Sequence, residues 1–65
     1  MRIRHENLKA YLDSRKGSAN KIASRLKVSK GLVSHWKHGK EPVPEEYTDI
    51  ICEELERSID DLCKP

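Results

Sequence analysis

Ala19-Asn20-Lys21-Ile22-Ala23-Ser24-Arg25-Leu26-Lys27-Val28-Ser29-Lys30-Gly31-Leu32-Val33-Ser34-His35-Trp36-Lys37 is the stretch on which the fold of this 65-residue chain turns. Ile22, Ala23 and Leu26 recur at the spacing of one helix face, and Leu32, Val33 and Trp36 do the same further on. Between them lie Lys27, Val28 and Ser29, and serine is a strong helix-capping residue. Gly39 then stops the second segment. The pattern predicts two helices at about 19–26 and 30–37 with a tight turn between them, the geometry of a helix-turn-helix. Ile22, Ala23, Leu26, Val28, Val33 and Trp36 form their shared core. Ala23 is small where the two backbones cross.

Winding the second helix at about 100° per residue from Lys30 places Ser34, His38, Gly31 and His35 at roughly 40°, 80°, 100° and 140°. Leu32, Trp36 and Val33 fall at roughly 200°, 240° and 300°. Polar and large apolar residues thus occupy separate arcs, and neither demand compromises the other. Gly31 lies within the polar arc, where an alanine would favour the helix by about 0.5–1 kcal/mol. Two reasons for it stay open: close approach of another molecule to the backbone, or a tolerated glycine near a helix start.

Outward from this pair, helix spacing continues in both directions. Leu8, Tyr11 and Leu12, followed by Arg15-Lys16 and Gly17, predict a helix over about 4–15. Ser18 follows as a candidate cap for the next helix. Pro42-Val43-Pro44 forces an extended connection. Pro44, Glu45, Glu46 and Asp49 suit the start of a helix over about 44–56. Tyr47-Thr48-Asp49-Ile50-Ile51 has some strand character, but five glutamates between 45 and 56 oppose it. Ser58-Ile59-Asp60-Asp61 has capping-box form and opens a fifth helix at about 59–63. The expected fold is an all-α, compact five-helix bundle forming one domain over residues 1–65, with no evident internal repeat, linker or low-complexity segment.

Hydrophobic residues make up 35 % of the chain against 37 % charged, so one modest core is all it can build. Dimerisation would add to a thin stability margin. No apolar run approaches the roughly 20 residues of a membrane span, and the beginning of the chain has no apolar stretch resembling a signal peptide. These features predict a cytoplasmic protein. Cys52 and Cys63 lack metal-ligand spacing and read as reduced, partly buried thiols. The net charge of +2 conceals a division. Residues 1–40 carry eleven Lys/Arg against Glu6 and Asp13, a net +9, whereas residues 41–65 carry Arg57 and Lys64 against nine acids, a net −7. One half is suited to face a polyanion while the other stays away from it, although solvated helix faces account for the same charges.

With these residues in place, segment 19–37 resembles the helix-turn-helix of the phage Cro and lambda-repressor-like family. The following Gly39-Lys40-Glu41-Pro42-Val43-Pro44-Glu45-Glu46 is similar to that of Cro proteins and of Cro-like antitoxins of the YdaS type. The resemblance extends over about residues 6–63. It implies a sequence-specific, double-stranded-DNA-binding transcriptional regulator. Such a protein works in a bacterial cytoplasm or nucleoid, as a homodimer on a pseudo-palindromic operator, with the third helix in the major groove. Carried over position by position, it implies that Lys30, Gly31, Ser34 and His35 read bases. A good bidentate pair there is worth about 1–3 kcal/mol of discrimination. Ser18, Asn20, Lys21, Ser29, Lys37 and Lys40 would contact the DNA backbone. The resemblance implies no cofactor, metal or catalytic residue. One departure is Lys27, which stands where the family usually has glycine. A positive φ there would cost on the order of 1 kcal/mol.

Three other readings compete. His35 and His38 share a helix face, but structural zinc wants four ligands and neither cysteine is near in sequence. An enzyme is not expected, because no phosphate loop and no nucleophile, base and orienter set can be assigned. The stronger competitor is an antitoxin-like or protein-interaction module. In it the acidic C-terminal half, with Tyr47, Ile50, Ile51 and Cys52, binds a toxin, another protein partner or itself.

Overall fold

Leu8, Tyr11 and Leu12 lie on α1 (His5–Ser14) in a computed structural model that describes residues 2–65. The helix is one residue shorter at each end than its spacing suggests, because Arg4 (φ −86°, ψ 129°) and Arg15 (φ −119°, ψ 97°) are extended. Gly17 follows at φ +82°, the left-handed region that glycine enters freely. It precedes α2 (Ser18–Leu26) directly. Ser18 is therefore not the cap expected of it. Gly17 takes the non-helical position, and Ser18, only 4 % exposed, turns its hydroxyl inward to donate to the Leu12 carbonyl at 3.3 Å.

α2 ends in a turn built on Lys27, at φ 58°, ψ 41°. Lys27 N–H donates to the Ser24 carbonyl at 3.3 Å and Val28 N–H to the Ala23 carbonyl at 3.0 Å, which together form a Schellman motif. Ser29 then caps α3 (Lys30–Lys37), its hydroxyl accepting from Leu32 N–H at 3.1 Å. α3 closes through Gly39 at φ +75°. A Cβ there would also lie 2.8 Å from His5 Nδ1, so this glycine answers to both backbone and packing.

Pro44 sits just outside α4 (Glu45–Leu55) rather than within it. Glu45 and Glu46 occupy the first turn, where the helix dipole favours anions. Residues 47–51 are helical throughout, as the run of glutamates requires. α4 ends on Glu56 at φ 54°, ψ 40°, and Ser58 caps α5 (Ile59–Cys63) by accepting from Asp61 N–H at 3.3 Å. The backbone of 26–29 thus recurs at 55–58, down to the serine (φ −74°, ψ 154° at Ser29; φ −76°, ψ 160° at Ser58). The sequence conceals this repetition, since Lys27-Val28 and Glu56-Arg57 share no side chain.

The molecule is an all-α bundle of five helices, and no strand occurs among the described residues. α1 packs on α3 and α5, while α2 packs on α3 and α4. Their contacts enclose Leu8, Leu12, Ile22, Ala23, Val33, Trp36, Ile51, Leu55 and Leu62. Trp36 is 1 % exposed and meets Tyr47 ring to ring at 5.8 Å. Leu26, Val28 and Leu32 are only half-buried at the rim of this core. Ile3 closes one end of the core, held by an Arg4 N–H bond to the Leu62 carbonyl at 3.0 Å and an Asn7 side-chain bond to the same oxygen at 3.0 Å. Arg25 reaches Glu53 at 3.1 Å and Glu54 at 3.3 Å, and Arg15 reaches Glu56 at 2.8 Å. These pairs join the basic half of the chain to the acidic half. Among the described residues no helix is long and apolar enough to cross a membrane.

Candidate nucleic-acid interface

α3 is pinned to the bundle by Val33 and Trp36, both buried, with Leu32 half-buried beside them. The opposite arc carries Lys30, Gly31, Ser34, His35 and His38, all exposed. The split expected from helical winding is therefore realised, and four of those five are the proposed base-reading residues. Nothing in the fold demands glycine at position 31. Its φ is ordinary, and a Cβ there would meet only Ser29 Oγ, at 3.8 Å.

The residues expected to touch a nucleic-acid backbone divide into three groups. Asn20, Lys21, Ser29 and Lys40 are exposed, and Lys21 lines a small crease at the start of α2 with Arg15 and Lys16. Ser18 is removed from consideration by its burial, with both its hydroxyl and its N–H already donating within the chain. Lys37 is half-buried and its ammonium lies 2.7 Å from Asp13 Oδ1 on α1.

Ion pairing divides the cations. Arg15 and Arg25 are bound to glutamates of the acidic half, and those hydrogen bonds stabilise the charged form of the Arg25 guanidinium. Among the described residues, Lys9, Lys16, Lys21, Lys27, Lys30 and Lys40 make no ion pair with a carboxylate. All six lie in the first forty residues; Arg57, in the acidic half, also lacks such a pair and lies over the Tyr11 ring at 4.8 Å. Lys9, Lys16, Lys27 and Asp13 were not assigned a part in nucleic-acid contact from the sequence. Asp13 could have been, because it is the one acid between residues 7 and 40.

Cys52 and Cys63 are free and half-buried. Burial, reinforced by nearby Asp49, raises the pKa of the Cys52 thiol, so it behaves as a neutral packing group. Among the described residues no three His, Cys, Asp or Glu side chains gather as a metal site requires.

The arrangement is a short, rigidly seated helix with an uncommitted polar arc, flanked by unpaired lysines and backed by an acidic half. Comparison with protein-family models, curated proteins and solved structures finds no match to the chain.

Proposed function

We propose that the chain is a sequence-specific double-stranded-DNA-binding regulator of Cro-like type, a helix-turn-helix repressor acting in the cytoplasm of a bacterial cell. The observation that carries this reading is the division of α3. Val33 and Trp36 hold the helix, leaving Lys30, Gly31, Ser34 and His35 with no structural duty on an arc narrow enough for the major groove. Lys30 and His35 can donate to guanine acceptors, and Ser34 can donate or accept. Asn20, Lys21, Ser29 and Lys40 are suited to phosphate contacts that fix register without reading sequence.

Size supports a dimer on DNA. The longest extent of the protomer is 27 Å, less than the roughly 34 Å that separates successive major-groove faces on one side of the duplex. One protomer can serve one half-site only. A second copy is needed for a palindrome.

Selection from random duplexes tests the reading, followed by anisotropy at several salt concentrations. A half-site repeated about one helical turn away is expected. If Lys21 and Lys40 each neutralise one phosphate, log K should fall against log[salt] with a slope near −2 per protomer. Failure to enrich any sequence, together with salt-insensitive binding, would remove the proposal.

One observation favours the second reading, a protein-interaction module. Ile50 on α4 is half-exposed and stands outside the core cluster, flanked in sequence by Glu46, Asp49 and Glu53. A partner that binds there, with no DNA affinity in the chain, would be its signature.

A further inference from the structure

We infer that Asp13 sets the overall DNA affinity of this surface by holding Lys37 out of reach of phosphates. The inference rests on the DNA-binding reading and names a regulator within that same surface.

Asp13 lies on α1, which packs against α3. Its carboxylate oxygen is 2.7 Å from Lys37 Nζ, with Asp13 half-exposed at 52 % and Lys37 at 28 %. Lys37 follows Lys30 by seven residues, so the two side chains stand about 20° apart around α3, and Lys37 borders the exposed arc. An unrestrained ammonium at that edge would be a ready phosphate contact. Asp13 instead supplies an intramolecular anion in the place a phosphate would take. Lys9 on the same face of α1 adds positive charge near the carboxyl, and with Lys37 it favours the ionised form. The pKa of the carboxyl is lowered, chiefly through the Lys37 hydrogen bond.

A purely structural clamp explains the pair less well. Leu8 and Leu12 of α1 and Val33 and Trp36 of α3 are already buried between these helices. An ion pair this exposed adds little to such a contact. Its larger consequence is electrostatic: one negative charge stands within an otherwise basic surface, and one lysine is engaged. Non-specific affinity scales with the number of phosphates neutralised, whereas base discrimination does not. A residue that subtracts one cation therefore lowers binding to all sequences alike and leaves the ratio of specific to non-specific affinity unchanged.

The test compares wild type, Asp13→Asn, Asp13→Glu and the double variant Asp13→Asn/Lys37→Gln. Each is titrated into a mixed-sequence duplex and into the selected half-site duplex, at salt concentrations from about 50 to 200 mM. Circular dichroism checks that each is folded. Asp13→Asn should bind mixed-sequence DNA about tenfold more tightly at low salt and steepen the salt slope by about one. Its preference for the selected duplex should stay as in wild type, because both duplexes gain the same contact. Asp13→Glu should retain the wild-type slope, and adding Lys37→Gln should return the slope to it. Folded Asp13→Asn with an unchanged slope, or with weaker binding, overturns the inference while leaving the DNA reading intact. Absence of DNA binding in the wild type overturns both.

Discussion

Lys27 offers the sharpest check of the turn between α2 and α3. It stands at φ 58°, where an L-residue with a side chain is disfavoured by roughly 1 kcal/mol. Lys27→Gly removes that strain. Against it, glycine loses more freedom on folding, about 0.5–1 kcal/mol. The position lies just past the helix, so no interior helix propensity is lost, and the net effect falls between neutrality and a gain of about 1 kcal/mol. Unfolding of a domain this small changes Tm by about 4–8 °C per kcal/mol. Lys27→Gly should therefore leave Tm unchanged or raise it by up to several degrees in thermal denaturation followed by circular dichroism. Lys27→Ala removes the charge and keeps the strain, so it should show no gain. Glu56→Gly should behave like Lys27→Gly but gain less, because the Arg15 pair at 2.8 Å is lost with it. A clear fall in Tm for Lys27→Gly, with Lys27→Ala unaffected, would refute the left-handed turn and the packing derived from it.

Further outcomes follow from the α3 surface and the ion pairs. Lys30→Ala or His35→Ala should change which duplex is preferred in a selection, whereas Lys40→Ala should weaken all duplexes equally and make the salt slope shallower by about one. Equal effects of all three on every sequence would erase the division between reading and anchoring residues. Gly31→Ala should raise Tm slightly, since the methyl group meets only Ser29 Oγ, at an ordinary contact distance of 3.8 Å. It should weaken specific DNA binding if the backbone approaches a base closely, and unchanged affinity would assign the glycine to tolerance alone. Hydrogen bonds from Lys37, Arg15 and Lys64 lower the pKa values of Asp13, Glu56 and Asp61 below their ordinary 3.8, 4.5 and 3.8. Groups with depressed folded pKa values contribute stability above the unfolded values, and that contribution fades as pH falls through the folded ones. Tm should therefore decline below about pH 4.5, and Asp13→Asn combined with Glu56→Gln should flatten the decline; an identical profile would deny these pairs a role.

The helices were legible because their signals are local. Apolar spacing marked each face, and Ser29, Gly39 and Ser58 marked boundaries that the structure keeps. Ser18 misled because serine after glycine looks the same whether it stands outside a helix or begins one; only the backbone of Gly17 decides, and that turns the hydroxyl inward to Leu12. The exposed arc of α3 was readable from winding alone. Less readable were contacts between distant parts of the chain. Asp13 with Lys37, Arg25 with Glu53 and Arg15 with Glu56 are set by how helices dock, and no short-range pattern encodes them. Ile3 was likewise overlooked, since a single apolar residue among arginines gives no periodicity. Its burial comes from the Leu62 carbonyl drawing Arg4 and Asn7 against the end of α5.

The duplicated turn makes residues 27 and 56 interchangeable in shape, though one carries lysine and the other glutamate. A double exchange, Lys27→Glu with Glu56→Lys, would conserve composition and mass while exchanging the charges of the two turns. The molecule thereby contains its own isomer for electrostatics. Any difference in behaviour between the two forms would be owed to where charge sits and not to how much of it there is.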